Sequence, residues 1–266
     1  MTAAAGFLSV LTHAGIAHDH RAGGAESPHP ATLPPHRLIV ADDPAAFAHV
    51  TGATSVVVPL GAAAGAPRFA VAMAGEVPSA VLAEVAAIEA RSARDRPLAP
   101  VSADVGRLLH LMCRARRARS VLDIGAGAGT ATLWMAAGVR QPGGRVVAIE
   151  KDSARRSLAV AAVARAGMKD FVDIRMGDAD RLLDRLPGKF DIVLLDETAE
   201  AREGHLLALF EGAFLSPRSL LFSHGGLAEP VALARTHAHL QVLPEIVATT
   251  SLGIGAGLFV AVTAPA

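Results

Sequence analysis

The chain has 266 residues, and its 25 acidic and 25 basic side chains leave a formal net charge of zero, which disfavours a basic surface that binds nucleic acid or an anionic membrane. Its single cysteine, Cys113, excludes an internal disulfide framework and a cysteine-based zinc site, as expected of a protein in a reducing cytoplasm. Because the chain lacks both a run of roughly 18 apolar residues and a basic, then apolar, leader, we expect a cytoplasmic protein that acts on a small molecule and has no membrane partner.

The first 75 residues predict a small α/β region. Its strand-like segments are HRLIVADD, TSVVVPLG and RFAVAMAG, with a short helix in PAAFAHVTG, and a further helix is expected from Pro78 to about Ser92. We expect residues 1–75 to form an accessory region that caps a site or mediates dimerisation, and residues 76–266 to form the main domain. Histidines at positions 13, 18, 20, 29 and 36 are interpreted as ordinary loop residues rather than metal ligands, because no second cluster of ligands accompanies them.

The stretch SVLDIGAGAGTA, from Ser120 to Ala131, predicts a buried strand, a tight glycine turn and the start of a helix. Glycines at positions 125, 127 and 129 permit positive φ and let a ligand lie against bare backbone, close to the unpaired N–H groups of the helix. A nucleotide-like ligand suits this arrangement, and close packing is the alternative reason for such a turn. The dinucleotide pattern would need glycine where the chain has Thr130, which disfavours NAD.

Downstream of this turn, strand-like and helix-like segments alternate. The strands are GRVVAIE, FVDIRMGD, KFDIVLLDE, SLLFSH (Ser219 to His224) and GLFVAVT, and a helix is expected from about Arg202 to Leu215. Strands that are nearly all apolar and are separated by helices indicate an α/β fold, in which a parallel sheet is covered on both faces. Ligands of such sheets bind at the carboxyl ends of the strands.

Four successive strands end at or just beyond an acidic residue. These acids are Asp123, Glu150, Asp178 and Asp196. Because the carboxyl ends of parallel strands lie at one edge of the sheet, we expect the four carboxylates around one crevice. Glu150, after the second strand, is placed to accept hydrogen bonds from two ribose hydroxyls. A helix N-cap is the alternative role for each acid.

The ordered set VLDIGAGAGTATL, VVAIEKD, MGDADRLL and FDIVLLDE resembles the successive motifs of the S-adenosylmethionine-dependent O-methyltransferases related to the caffeoyl-CoA and catechol enzymes. The resemblance extends from about Pro97 to the end of the chain, where SLGIGAGLFVAVT is similar to the last hairpin of the family. It implies a Rossmann-like methyltransferase fold with a mostly parallel, seven-stranded sheet and helices on both faces. It also implies S-adenosyl-L-methionine as the cofactor, and we expect a homodimer.

The resemblance implies a role for each matching residue. The implied cofactor-binding residues are Ser102, Asp123, Gly125, Gly127, Gly129, Glu150, Asp178, Ala179 and Asp196. The three glycines would let the methionine part of the cofactor approach the backbone, and Asp123 would hold its amino group. Glu150 would bind the ribose hydroxyls, and Asp178 with Ala179 would lie at the adenine edge. Ser102 would reach over the cofactor's carboxylate.

The chain departs from the metal-dependent members of this family. In those members a lysine closely follows the acid after the fourth strand, and the fifth strand ends in Asp-Asn. Here DETAEA contains no lysine, and the fifth strand ends in Ser223 and His224. Since Mg²⁺ prefers oxygen ligands, losing two of them favours a site without a metal. The chain has no tyrosine, so His224 is the leading candidate for the general base, and Asp196 is the alternative base or substrate orienter.

Two functions remain open at this point. The first is O-methylation of a small aromatic or polyketide-like metabolite without a metal. The second is a protein that keeps the cofactor pocket but has lost methyl transfer, serving as a scaffold or as a cyclase. Both need the cofactor-binding motifs, so the replaced metal ligands are the feature that separates them. The enzyme is favoured, because the fold carries methyl transfer without metal elsewhere.

Overall fold

The computed structural model describes residues 4–21, 38–42, 53–59, 68–94, 100–186, 188–225 and 230–266. Its helices are α1 (Ala5–His13), α2 (Ser79–Ser92), α3 (Ala103–Ala115), α4 (Thr130–Val139), α5 (Ser153–Arg165), α6 (Ala179–Leu182), α7 (Ala199–Glu211) and α8 (Pro230–Val242). Its strands are β1 (His18–Arg21), β2 (Leu38–Ala41), β3 (Ala53–Pro59), β4 (Arg68–Ala74), β5 (Ser120–Ile124), β6 (Arg145–Glu150), β7 (Val172–Met176), β8 (Phe190–Leu195), β9 (Leu215–His224), β10 (Ile246–Leu252) and β11 (Leu258–Thr263). Among these helices, none is both long enough and apolar enough to cross a membrane.

The larger sheet has seven strands in the order β10-β11-β9-β8-β5-β6-β7. Strands β5 to β9 pair in parallel, whereas β11 lies antiparallel between β9 and β10. Separate apolar clusters cover its two faces. This arrangement confirms the predicted mostly parallel, seven-stranded α/β fold. The strand order reverses beside β5, whose neighbours are β6 and β8, and a crevice at the carboxyl ends of the strands is expected at such a reversal.

The amino-terminal region forms a four-stranded sheet in the order β1-β2-β4-β3. The three predicted strands are present as β2, β3 and β4, and the predicted helix in PAAFAHVTG lies outside the described residues. The interpretation of His18 and His20 as loop residues is wrong, because HDHR forms the edge strand β1, which pairs in parallel with the apolar strand β2. His20 contacts Asp42 at 3.2 Å, and His18 bonds to the carbonyl of Ile16 at 2.9 Å.

The two sheets share one buried core among the described residues. Helix α1 contacts β10 and β11 of the larger sheet, and α3 contacts β3 and β4 of the smaller one. Phe7 of α1 and Phe69 of β4 stack with ring centroids 5.2 Å apart, and they belong to the same apolar cluster as Val121 and Val262 of the larger sheet. The predicted boundary at residues 75 and 76 falls in the connection from β4 to α2, and the division into two domains stays a prediction.

Two predicted boundaries near the end of the sheet are wrong. The helix expected from about Arg202 to Leu215 is α7, which ends at Glu211, and β9 begins at Leu215 rather than at Ser219. Leu215 pairs with Phe190, after which the register shifts, and Arg218 has a left-handed φ of 59°. The first half of β9 is therefore irregular, and its residues lack the regular apolar pattern that would have predicted a strand.

Candidate active site

The carboxyl ends of β5, β6, β7 and β8 surround a cavity of about 230 Å³, called the cleft below. Five of the residues predicted to bind the cofactor line it: Gly125, Glu150, Asp178, Ala179 and Asp196. Parallel strands bring their carboxyl ends to one edge, so segments as far apart in sequence as the ends of β5 and β8 meet here. The structure thus gathers three of the four strand-end acids around a single space.

Glu150 is fixed by backbone amides on both sides of its carboxylate. One oxygen accepts a hydrogen bond from Gly127 N at 2.7 Å, and the other accepts from Asp152 N at 2.8 Å. Glu150 is only 5% exposed, yet it lines the cleft. A carboxylate has about four acceptor positions, so two are left for a ligand. Its orientation is set before any ligand arrives.

The three glycines of the turn have positive φ, and at two of them a Cβ would meet a neighbouring element. A Cβ on Gly125 would collide with the backbone carbonyl of Asp196, so glycine allows the ends of β5 and β8 to approach. A Cβ on Gly129 would lie 3.1 Å from Cα of Ala159, so glycine there allows α4 to pack against α5. Close packing, the alternative reason for the turn, therefore accounts for Gly125 and Gly129. Gly125 alone of the three lines the cleft.

Asp123 lies beneath the turn rather than in the cleft. It is fully buried within β5, and its Oδ2 accepts a hydrogen bond from Thr132 Oγ1 at 2.5 Å. Its Oδ1 is buried without a hydrogen bond to a described residue. Burial raises the pKa of Asp123 to about 7; the Thr132 hydroxyl opposes this shift, and the charges of Asp196 and Glu150 add to it. The structure thus separates Asp123 from the other three acids, and its contact with the cofactor's amino group stays a prediction.

The far end of the cleft contains a histidine that the sequence did not indicate. His205 of α7 is 4% exposed, and its Nδ1 lies 2.6 Å from Glu197 Oε1. Its Nε2 lies 3.0 Å from Asp180 Oδ1 and 4.0 Å from Asp178 Oδ1. The hydrogen bond with Glu197 raises the pKa of His205, and the charges of the nearby carboxylates add to this effect. His205 thus joins the loop after β8 to the start of α6, where Asp178 and Ala179 lie.

Asp178, Asp180 and His205 also place potential ligand atoms within 4.8 Å of one another. The three residues also join the start of α6 to α7, through the contacts of His205 with Asp178 and Asp180. No pattern in the sequence singles out His205, because arginines such as Arg181 and Arg202 also lie near the acid-rich stretches.

His224 and Asp196 form a direct pair at the ends of neighbouring strands. His224 Nδ1 lies 2.8 Å from Asp196 Oδ1, and the histidine is 8% exposed. Because a carboxylate only accepts hydrogen bonds, we assign the proton of neutral His224 to Nδ1. His224 Nε2 then carries a lone pair, and it makes no hydrogen bond to a described residue.

A buried arginine binds the backbone next to this pair. Arg202 of α7 is 1% exposed, and its Nη2 donates to the backbone carbonyls of His224 at 2.8 Å and Glu197 at 2.7 Å. It therefore ties the end of β9 to the loop after β8. Arg202 was not among the predicted site residues, because the sequence pattern indicated only that a helix begins near it.

Ser102 and His224 lie on two sides of the last hairpin. Ser102 caps α3, where its hydroxyl accepts from Val105 N at 3.3 Å. A Cβ on Gly255 would lie 2.9 Å from Ser102 Oγ and 3.6 Å from His224 Nε2. Gly255, with φ of +58°, thus lies between these two side chains, and its lack of a side chain leaves the space between them open. The site therefore has a second part, next to the cleft and built from α3, β9 and the hairpin.

Known proteins with the same pattern identify the family. The family model of the O-methyltransferases matches residues 74–203. A catechol O-methyltransferase of Mycobacterium tuberculosis is 33% identical over 183 residues, which are 64% of this chain and 81% of the relative. This chain belongs to the O-methyltransferase family. The resemblance of its motifs to the caffeoyl-CoA and catechol enzymes is thereby confirmed.

Solved methyltransferase structures agree with this assignment. Rv0187 from MTB, solved with its cofactor bound, has a TM-score of 0.59 and 28% identity, over 71% of this chain and 89% of that one. The SAH-bound methyltransferase of Podospora anserina has a TM-score of 0.63 and 19% identity, over 70% of this chain and 88% of that one. The fold is that of the Rossmann-like methyltransferases, and the methyl donor of the enzyme is S-adenosylmethionine.

The chemistry of the cleft fits this cofactor. Glu150 offers a fixed carboxylate with free acceptor positions, as two ribose hydroxyls require. Asp178, whose side chain is 53% exposed, offers an acceptor at the other end for an exocyclic amine. Outside the cleft, the buried Oδ1 of Asp123 and Nε2 of His224 have no hydrogen-bond partner among the described residues. Such atoms are expected where a polar ligand completes a site.

Proposed function

We propose that the enzyme methylates a hydroxyl of a small aromatic or polyketide-like metabolite without a metal, and that His224 is its general base. The observation that carries the proposal is the pair formed by His224 Nδ1 and Asp196 Oδ1 at 2.8 Å, which leaves Nε2 free. The catechol O-methyltransferase of M. tuberculosis, by its name, acts on an aromatic hydroxyl, and this supports the same class of acceptor here.

The protein's own task in this reaction is positioning and proton transfer. S-adenosylmethionine supplies the activated methyl group when it is bound. As the acceptor hydroxyl attacks, His224 Nε2 takes its proton, and the Asp196 carboxylate stabilises the imidazolium that forms. Arg202 holds the backbone carbonyl of His224, so the ring keeps its position while its charge changes. The chain has no tyrosine, and no lysine follows position 189, so these common bases are excluded at the end of β9.

The potential metal ligands at the ends of β8 and β9 support catalysis without a metal. Asp196 is the one carboxylate retained from the triad of the metal-dependent members, and its Oδ1 bonds to His224. Ser223, at the position of the family's aspartate, is 3% exposed and offers only a neutral hydroxyl. Because Mg²⁺ prefers an octahedral set of hard oxygen ligands, a single carboxylate paired with imidazole is a poor site for it.

The base is tested by replacing His224 with glutamine. Turnover should fall by about 10²- to 10⁴-fold, which is the usual contribution of a general base. The affinity for S-adenosylhomocysteine (SAH), the demethylated cofactor, should stay at the wild-type value. The pH profile of the rate should differ between the wild type and the variant, because a general base must be deprotonated to accept a proton. His13→Gln, on the exposed surface of α1, is the matched control and should keep the wild-type profile.

Two results would contradict the proposal. Near-normal turnover of His224→Gln with an unchanged pH profile would reassign the base to Asp196 or to an acceptor ionised in solution. SAH binding without methylated product, over a panel of catechols and polyketide phenols, would favour the alternative function of a scaffold or cyclase. The product mass separates these two outcomes.

We further propose that residues 1–75 are an accessory region that supports the acceptor side of the methyltransferase domain, residues 76–266. Helix α1 contacts β10 closely, since a Cβ on Gly6 would lie 3.0 Å from Thr250 Oγ1. The loop after β10 contains Gly255, which borders Ser102 and His224. The accessory region therefore supports the hairpin that borders the proposed base.

A further inference from the structure

We propose that the enzyme has a second binding site, for a small molecule that carries an oxyanion, either phosphate or carboxylate. A cavity of about 400 Å³ lies between the β4–α2 connection, α3 and the end of α4. Helix α4 starts at the carboxyl end of β5 and ends next to the start of β6, so this cavity is at the opposite edge of the sheet from the cleft. It is therefore separate from the methyl-transfer site.

His110 forms part of the wall of this cavity with unused hydrogen-bonding capacity. It is 1% exposed. Burial lowers the pKa of His110 to about 3; the charge of Arg114 adds to this effect, and a hydrogen bond with the backbone of Trp134 opposes it. The ring is thus neutral near pH 7, and one of its nitrogens is left for a further partner. Buried polar groups of this kind normally have a partner.

Arg114 adds a positive charge to the same wall and forms no ion pair with a described residue. It lies four residues after His110 on α3, so both side chains project from one face of the helix. Its Nη1 is buried without a hydrogen bond to a described residue, and its Nη2 has only a 3.5 Å contact with Gln141 Oε1. Burial lowers the pKa of Arg114, as expected of a cation that lacks a counterion. Arg140 at the end of α4 lines the cavity as a second cation.

Gly75 lets the guanidinium of Arg114 lie against bare backbone. Its φ is +100°, and a Cβ there would lie 2.8 Å from both Nη atoms of Arg114. The carbonyl of Gly75 accepts a hydrogen bond from Thr54 Oγ1 at 2.9 Å, so that acceptor is already used. Glu76 is an exposed acid on the rim, and the structure records no ion pair between it and Arg114.

The chemistry of these walls selects an anion. Arg114 and Arg140 present N–H donors and both are cations, His110 adds a neutral ring, and the one acid of the lining, Glu76, is exposed on the rim. A cation would be repelled, and a neutral ligand would leave the buried charge of Arg114 uncompensated. Planar guanidinium groups match the paired oxygens of phosphate and carboxylate. Since the volume exceeds that of a bare anion, the site suits a metabolite that carries such a group.

The test is calorimetry on the full chain with inorganic phosphate and, separately, with acetate, each against chloride at matched ionic strength. Arg114→Gln and Arg140→Gln should weaken binding at least tenfold. Arg140 is exposed, so its variant stays informative if Arg114→Gln fails to fold. The matched control is Arg107→Gln, which removes a charge from the same helix at a residue paired with Asp104.

Phosphate binding that follows this pattern supports a phosphate-bearing ligand, and acetate binding that follows it supports a carboxylate. The proposal is overturned if the wild type binds neither anion, or if all three arginine variants bind as the wild type does. The measurement does not depend on methyl transfer, so its outcome is independent of the role of His224.

Discussion

Replacing Glu150 by alanine probes the centre of the cleft. The carboxylate already accepts one hydrogen bond on each oxygen, from Gly127 N and Asp152 N, and two acceptor positions are left for the ribose hydroxyls. Each hydrogen bond to a charged group contributes about 1.5 to 3 kcal/mol. Loss of two such bonds to the ligand should therefore weaken SAH binding by about 3 to 6 kcal/mol, which is roughly 10²- to 10⁴-fold in Kd.

The same substitution also acts on the fold. Without the carboxylate, the amides of Gly127 and Asp152 lose their acceptors, so the free energy of unfolding should fall by up to roughly 3 kcal/mol for each bond. Affinity and stability must therefore be separated by a control. Asp152→Ala removes the side-chain cap of α5, the hydrogen bond from Arg155 N at 2.8 Å, which costs about 1 kcal/mol of stability. Asp152 does not line the cleft, so SAH affinity should not change.

Titration calorimetry with SAH and urea unfolding of the same three proteins measure both quantities. The expected pattern is a Glu150→Ala protein that is folded at the assay temperature but binds at least a hundredfold more weakly, beside an Asp152→Ala protein that binds normally. A Glu150→Ala protein that binds SAH within threefold of the wild type would refute the placement of the ribose at the end of β6.

Three further predictions follow. Turnover should survive EDTA, because Asp196 alone of the family's metal ligands is retained; loss in EDTA that Mg²⁺ restores would contradict this. At pH values below 6.5, the ordinary pKa of histidine, His205→Gln should lower the free energy of unfolding by about 1.5 to 3 kcal/mol. Because the bond to Glu197 raises the pKa of His205, this deficit should shrink as pH rises through the raised value, as urea unfolding at several pH values would show. The folded pKa of Asp123 is raised to about 7, so wild-type stability relative to Asp123→Asn should decline from about pH 4 to 7, and a constant difference would argue against this.

Most of the fold was predictable because its central strands are short, mainly apolar runs, and helix-compatible segments of regular length separate them. The run from Ser120 to Ile124 is apolar except for Asp123, and glycines mark its end, so the strand and the turn were found at the right places. β1 was missed because HDHR has no apolar pattern, and it becomes a strand only through pairing with β2. Pairing between distant segments overrides local propensity here.

The strand-end acids were predictable for a topological reason, whereas the residues around them were not. Glu150, Asp178 and Asp196 meet because parallel strands share one carboxyl edge. His205 and Arg202 come from α7, and only the packing of that helix decides which of its side chains turn towards the sheet. The spacing of residues in the sequence predicts which side chains share a face of a helix, but not which face packs against the sheet.

Replacement of Asp-Asn by Ser-His changes how the negative charge near the acceptor is balanced. In the metal-dependent pattern a divalent cation would neutralise the carboxylate at the end of β8. Here Asp196 faces His224 instead, so its counter-charge exists only when the histidine is protonated. In the proposed mechanism, the proton released when the methyl group passes from the sulfonium to a hydroxyl is taken by His224, and Asp196 stabilises the imidazolium. The proposed base and the replacement for one of the family's metal ligands are therefore the same residue. His224 would carry out the proton transfer that a metal would have assisted by polarising the hydroxyl.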